Sequence, residues 1–356
     1  EMCIRDRDLP GRAACHYCGP CHRGCSTGSY FSSQSSTLPV ARATGNLTLK
    51  TNSLVERLEY DPVKGRISSV QVIDTVSGER QSYTARLFFL CASTVASTQL
   101  LMNSANEQFP NGLANSSGVL GHYLMDHTLG TSGMGVFLDD MDGYYFGNRP
   151  TGLYIPRFRN LEGQDDDADF LRGYGFQTYT LRTDWQIGFN AKGFGAKLKD
   201  ELRKPGPWVF VLSGFTECLP QESNRMYLSK KTDRFGIPQV AFDMQWSDNE
   251  IKLRKDAATQ AERILKAAGA ALLLPGEDKM SLPGEGIHEM GTARMGDDPA
   301  ESVLNKHNQA HDVPNLFVTD GSFMTSSSCV NPSLTYMAFT ARACDYAVKQ
   351  MGEGAV

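Results

Sequence analysis

Three short blocks follow one another near the end of the chain: His288-Glu289-Met290-Gly291-Thr292-Ala293-Arg294-Met295-Gly296, then Leu316-Phe317-Val318-Thr319-Asp320-Gly321-Ser322, then Asn331-Pro332-Ser333-Leu334-Thr335. An imidazole, with an ordinary pKa of about 6.5, is a good acceptor for a proton leaving a bound molecule near neutral pH. His288 is therefore the candidate general base. A carboxamide can hydrogen-bond a substrate oxygen and hold the carbon in place without competing for the proton, which makes Asn331 the candidate positioner. Each residue has a plainer explanation on its own: a structural histidine, and a helix N-cap ahead of Pro332 at the first helical position. The ordered set of three blocks favours the chemical role. Asp320-Gly321 closes an expected strand, where a backbone without Cβ can approach a ligand and a carboxylate can accept from hydroxyls. His307 and His311, in a polar loop, are read as structural.

A second group of residues is Cys15-x2-Cys18-x2-Cys21-x3-Cys25. Its steps are those of bacterial iron–sulfur loops, in which consecutive thiolates wrap one cluster, although Ser26 stands where a proline follows the last cysteine of such loops. Three or four ligands are open. Zinc is the alternative, with His16 and His22 nearby, but zinc sites usually put a longer loop between ligand pairs. Structural or redox thiols are a third reading. The chain has nine cysteines, and Cys91, Cys218, Cys329 and Cys344 are scattered as small buried hydrophobes are.

The elements that must position these groups follow from pattern. Tyr30–Ala43 has helical spacing with Gly45 as its C-cap, and Leu47–Thr51 reads as a strand. A small meander follows around Ile67–Asp74 and Gln81–Ala85. Leu87–Cys91 is an uninterrupted apolar run, as in a parallel strand buried on both faces, and Thr98–Ser104 is helical. Residues 130–247 alternate, with Gly152–Arg157 and Trp208–Ser213 as examples, and suggest a broad antiparallel sheet. Asp248–Ala271 reads as an amphipathic helix. Asn315–Thr319 returns to strand and Leu334–Gln350 to helix, so one sheet is expected from distant parts of the chain. With 356 residues, 40% hydrophobic, the chain can bury a real core. A net charge of −5 with no run of Lys or Arg argues against nucleic acid and anionic membranes as partners, and no apolar stretch approaches the roughly 20 residues of a transmembrane helix.

The three C-terminal blocks resemble the signature of the glucose-methanol-choline oxidoreductases. The resemblance implies an α/β fold: a Rossmann-like FAD-binding domain and a substrate domain on a large antiparallel sheet. Residues 8–128 and 286–356, including the cysteine-rich loop 15–25, would belong to the first and 129–285 to the second, with residues 1–7 a non-native segment. It also implies FAD as cofactor, with His288 and Asn331 facing the flavin ring. Val55 would make a backbone contact to adenine, Ala92 and Ser93 would lie beside a second family signature, and Asp320, Gly321, Pro332 and Ser333 would lie against the cofactor. The family usually has glycine where this chain has Ser93. No G-x-G-x-x-G follows a strand, and Gly19–Gly28 lacks that spacing, so the N-terminal part of the FAD domain is expected upstream. The implied activity is oxidation of an alcohol, sugar or polyol, with electrons leaving to an external acceptor of the quinone or cytochrome type rather than to nicotinamide. An iron–sulfur cluster (3Fe-4S or 4Fe-4S) on the cysteines would favour a dehydrogenase over an oxidase. A zinc-binding structural module and an inactive fragment are the competing readings; the sequence assigns no compartment.

Overall fold

An apolar or alternating run becomes β structure only when it finds a ladder partner and a face to bury, and those partners define two bodies here. The computed structural model describes residues 8–9, 11–18, 21, 24–139, 152–163, 168–182, 192–204, 206–276, 280–354 and 356. The expected non-native segment, residues 1–7, lies outside them. In chain order the elements are α1 (Thr37–Ala43), β1 (Ser53–Asp61), β2 (Arg66–Asp74), β3 (Arg80–Tyr83), β4 (Phe88–Leu90), α2 (Thr94–Asn103), β5 (Thr131–Phe137), β6 (Tyr154–Ile155), β7 (Tyr174–Arg182), α3 (Gly195–Leu202), β8 (Trp208–Thr216), β9 (Arg225–Thr232), β10 (Pro238–Asp243), α4 (Asp248–Ala267), β11 (Leu272–Pro275), β12 (Leu316–Val318) and α5 (Ser333–Gly352).

The first body joins both ends of the chain. β4 pairs in parallel with β12, Phe88 opposite Leu316 and Leu90 opposite Val318, so the apolar run meets a partner more than two hundred residues away. Phe89 and Phe317 stack with centroids 4.8 Å apart. The antiparallel meander β1-β2-β3 is pinned to this pair by Asn315, whose side chain accepts from the Ile67 amide and donates to the Ile67 carbonyl, both at 2.9 Å. Leu101, Leu113, Leu304 and Leu316 are fully buried in the shared core, each stabilising by about 1.5–3 kcal/mol.

The second body is a five-stranded antiparallel sheet, order β11-β5-β8-β7-β6, covered on one face by α4. Helix α4 starts with a reciprocal capping box between Ser247 and Glu250. Its Leu253, Ala257, Ala261 and Leu265 meet Tyr174, Phe176 and Leu212 of the sheet. Gly133 lets the helix approach, since a Cβ there would lie 3.2 Å from the Ala261 methyl. Because side chains alternate, Gly175 and Gln177 of β7 and Ser213 and Phe215 of β8 lie on the opposite face. That face looks toward the first body.

The expected elements are met with local differences. Helix α1 covers only Thr37–Ala43, because Ser32 and Ser35 bond each other's backbone and side chains ahead of it, an alternative to helix. Leu47–Thr51 joins no ladder among the described residues, and Leu47 and Leu49 are exposed. Gly152–Arg157 shrinks to β6. The β9–β10 hairpin packs on the first body, with the Met226 amide donating to Gly121 and Gln99 to the Pro238 carbonyl, although its sequence falls within 129–285. Among the described residues no helix is long and apolar enough to cross a membrane.

Candidate active site

Two of the crossings between the bodies are paired: Met125 and Met290 exchange backbone hydrogen bonds of 2.8 and 2.9 Å. This sets Asp126-His127 beside His288. The loop 284–288 wraps the Asp126 carboxylate, with Oδ2 accepting the amides of Gly284 (3.0 Å) and Gly286 (2.9 Å) and Oδ1 those of His127 (2.7 Å) and His288 (3.0 Å). Gly286 is required at this approach, since a Cβ would lie 2.6 Å from Asp126 Oδ1. Ile287 then takes a left-handed conformation (φ 55°), turning the chain into His288. Burial pushes the Asp126 carboxyl up, against the backbone donors that favour its anion.

The half-buried His288 ring has Nδ1 3.0 Å from Nδ1 of His127, the two planes nearly perpendicular at 81°. His127 is fully buried, and its Nε2 lies 3.0 Å from the Ser328 carbonyl oxygen. Phe215 contacts both rings, at 5.6 Å from His288 and 5.7 Å from His127. Burial pulls His288 below the ordinary imidazole value, with Glu289 opposing it. Burial and the neighbouring His288 pull His127 down to about 4. Both rings are neutral at pH 7, the state a base needs.

Asn331 is exposed, and its Oδ1 accepts from Gln177 Nε2. It does not cap α5: the N-cap is Pro332, in helical conformation and with no side-chain capping bond. In the register of β7 and β8, Gly175 opposes Phe215 and Gln177 opposes Ser213. The contacts of His288 and Asn331 on this sheet face are thus one two-residue step apart, roughly 7 Å. The two sequence-predicted residues are brought to one wall.

On the cofactor side, Ala92, Ser93, Asp320 and Gly321 converge where β4 and β12 end. Asp320 accepts from the Ser97 hydroxyl through Oδ2 and from the Ser322 amide (3.1 Å) and hydroxyl (2.6 Å) through Oδ1, tying β12 to α2. A Cβ on Gly321 would lie 2.6 Å from both the Glu289 carbonyl oxygen and the Tyr336 hydroxyl. Ser93 precedes α2 with φ 79° and ψ 160°, a conformation glycine adopts without strain and serine does not. α2 starts with no side-chain capping bond. A cavity of about 320 Å³ opens beside it, lined by Val95, Leu124, Asp126, Phe242, Met244 and Glu289 among others. Pro332 is buried and Ser333 exposed at the start of α5; Val55 sits on the meander opposite Val72, just before a bulge.

Among the described residues no group of three or more His, Cys, Asp or Glu side chains is placed to hold a metal, so the structure lends the iron–sulfur and zinc readings of Cys15, Cys18, Cys21 and Cys25 no support. Residues 19, 20, 22 and 23 of the loop lie outside the description. Cys15 Sγ accepts the Tyr17 amide at 3.3 Å, and Cys25 Sγ lies 3.3 Å from Thr27 Oγ1 and 3.2 Å from Ser29 Oγ. Burial raises the Cys25 pKa, but those hydroxyls and the Tyr30 amide outweigh it and lower the thiol to about 6. His307 stacks on Tyr346 and His311 bonds Ser302, as structural histidines do.

The family profiles described as GMC oxidoreductase match residues 2–129 and 220–340. The chain belongs to the GMC oxidoreductase family. A 2-methyl-1,2-propanediol dehydrogenase of Mycolicibacterium austroafricanum is 33% identical over 99% of this chain and 63% of its own length. The fructose dehydrogenase large subunit of Gluconobacter japonicus is 28% identical over 98% of the chain and 62% of its own. The chain thus spans less than two thirds of these GMC relatives. Among solved structures, formate oxidase from Aspergillus oryzae RIB40 superposes with a TM-score of 0.62 at 15% identity, covering 90% of this chain and 64% of the other, which shows the GMC fold.

Pattern reading missed Asp126, His127, Gln177 and Phe215. The signal for the first two was present: an acidic residue and a histidine together after Leu124-Met125, where a purely apolar crossing was equally available.

Proposed function

We propose that this chain carries the catalytic pair of a flavin-dependent dehydrogenase that oxidises the CH–OH group of a primary or secondary alcohol, sugar or polyol to a carbonyl. The observation that carries the reading is His288: a neutral, half-buried imidazole held by the Asp126 clamp at the seam of the two bodies, facing the same sheet wall as Asn331. The names of the two dehydrogenases to which the chain is similar support an alcohol or sugar substrate.

The residues at the ends of β4 and β12 suit an anionic, hydroxyl-rich cofactor such as FAD. Two helices, α2 and α5, begin there without side-chain caps, leaving leading amides for an acceptor. Ala92, Ser93, Asp320, Gly321, Pro332 and Ser333 would hold it, with Val55 on the meander toward its adenine end. Bound there, FAD would supply the two-electron acceptor for the hydride. His288 takes the substrate hydroxyl proton as the carbinol C–H bond breaks with its electron pair and the C–O bond becomes a carbonyl. Asn331, held by Gln177, offers its amide N–H to the substrate oxygen. Phe215 keeps water from the imidazole. Electrons leave to an external carrier of the quinone or cytochrome type, and the reading does not depend on a metal relay in the cysteine-rich loop.

The test is flavin reduction by substrate under anaerobic stopped flow in the flavin-loaded protein. His288→Ala is expected to slow it by about 10²–10⁴-fold with the flavin absorbance retained. Reduction at the wild-type rate would remove His288 from the mechanism.

A further inference from the structure

The hydrogen bonds around His127 determine more than its own position. A carbonyl oxygen can only accept, so His127 Nε2, 3.0 Å from the Ser328 oxygen, carries a proton. A neutral His127 then has its lone pair on Nδ1. Nδ1 of His288 lies 3.0 Å from it, and one proton must lie between the two nitrogens, so His288 Nδ1 donates. A neutral His288 protonated on Nδ1 has its lone pair on Nε2. We propose that His127 is a positioning residue that fixes the tautomer of His288, leaving Nε2 of His288 as the proton acceptor. This rests on the reading of His288 as the general base.

Several features keep the relay from relaxing into the other arrangement. His127 has no exposed surface, its backbone amide is held by Asp126 Oδ1 at 2.7 Å, and the Phe215 ring stands against it edge-on. Ser328, three residues before Asn331, takes a left-handed conformation (φ 59°) that presents its carbonyl to the ring. The doubly protonated form of His127, which could donate in both directions, is disfavoured by burial and by His288 itself. The arrangement also favours the reaction's later stage: once His288 has taken the proton, its Nδ1–H bond to His127 becomes charge-assisted and stronger, so the contact holds more tightly as charge develops. The principle is that of a partner group that sets a catalytic imidazole's tautomer without itself taking the proton.

The relay is tested in flavin-loaded protein with ¹⁵N-labelled histidine, reading the ring tautomer of His288 by two-bond ¹H–¹⁵N correlation, alongside the limiting rate of flavin reduction. Wild type should show His288 protonated on Nδ1 alone. His127→Gln places an amide near the former Nε2, able to serve Ser328, but offers no acceptor at the former Nδ1. It should lose the single tautomer and slow reduction about 10–100-fold, less than loss of the base itself. His127→Asn places an amide oxygen near the former Nδ1 and should restore the tautomer and most of the rate. A wild-type spectrum with His288 protonated on Nε2, or a glutamine variant that keeps the Nδ1–H form, would overturn the inference. Full activity of His288→Ala would instead overturn the general-base reading, while the spectra still decide the relay.

Discussion

Asp126→Asn changes one oxygen to nitrogen in the clamp, and the hydrogen bonds say what that costs. The carboxylate accepts four backbone amides, those of Gly284 and Gly286 on Oδ2 and of His127 and His288 on Oδ1. Asparagine keeps one acceptor oxygen. Whichever way the amide turns, two backbone N–H groups, at least one of them buried, lose their acceptor and face an NH₂ group that can only donate. At about 1–3 kcal/mol for each such loss, the variant should be destabilised by about 2–6 kcal/mol, against a net stability on the order of 5–15 kcal/mol. Differential scanning fluorimetry should register a fall in Tm of about 3–8 °C. Flavin reduction should slow as well, because the amide of His288 is one of the four held groups. A Tm within about 1 °C of wild type, with reduction kinetics unchanged, would refute the clamp.

Ser93→Gly should stabilise the protein: relief of the strained conformation is worth about 1–3 kcal/mol, less about 0.5–1 kcal/mol for glycine's added freedom when unfolded, and a Tm equal to or below wild type would count against it. The folded pKa of His127, about 4, lies below its unfolded value of 6.5, so its contribution is fully present above about pH 6.5 and is lost as pH falls toward 4. That loss amounts to roughly 3 kcal/mol; denaturation midpoints measured between pH 7 and pH 4 should therefore fall less steeply in His127→Asn than in wild type, and parallel curves would exclude His127 as the titrating group.

What the sequence made legible follows from how each feature is encoded. The parallel pair β4–β12 was readable because strands buried on both faces are written as continuous apolar runs, and α4 because its apolar positions recur at helical spacing. The meander was readable from its turns. Leu47–Thr51 failed because alternation and β-branching describe a strand's fitness for a ladder, while the ladder itself needs a partner. The proposed catalytic pair was legible as family-like blocks, but its supports were not: the contact from Gln177 to Asn331 spans 154 positions and that from His127 to His288 spans 161, distances over which spacing carries no information. The cysteine loop is a different case: the contacts of Cys15 and Cys25 with neighbouring amides and hydroxyls are local side-chain bonds that cysteine spacing does not encode.

The position of the site at the seam has a physical logic. Each body buries its own apolar face, and placing unpaired imidazoles or carboxylates inside either core would cost several kcal/mol. The paired crossings at Met125 and Met290 are where backbone amides, unclaimed by either sheet, are available to pair such groups. There Asp126 finds its four donors and His127 its carbonyl, while the sheet face opposite α4 supplies Phe215 to exclude water and Gln177 to hold Asn331. His288 is left half-buried, enough to be held neutral and not so deep that a substrate cannot reach it. A base placed wholly within one body would keep its pKa shift but lose either its access or its partner. The Met125–Met290 bridge joining the crossings therefore sets the distance between the two histidines, and with it which nitrogen carries the proton.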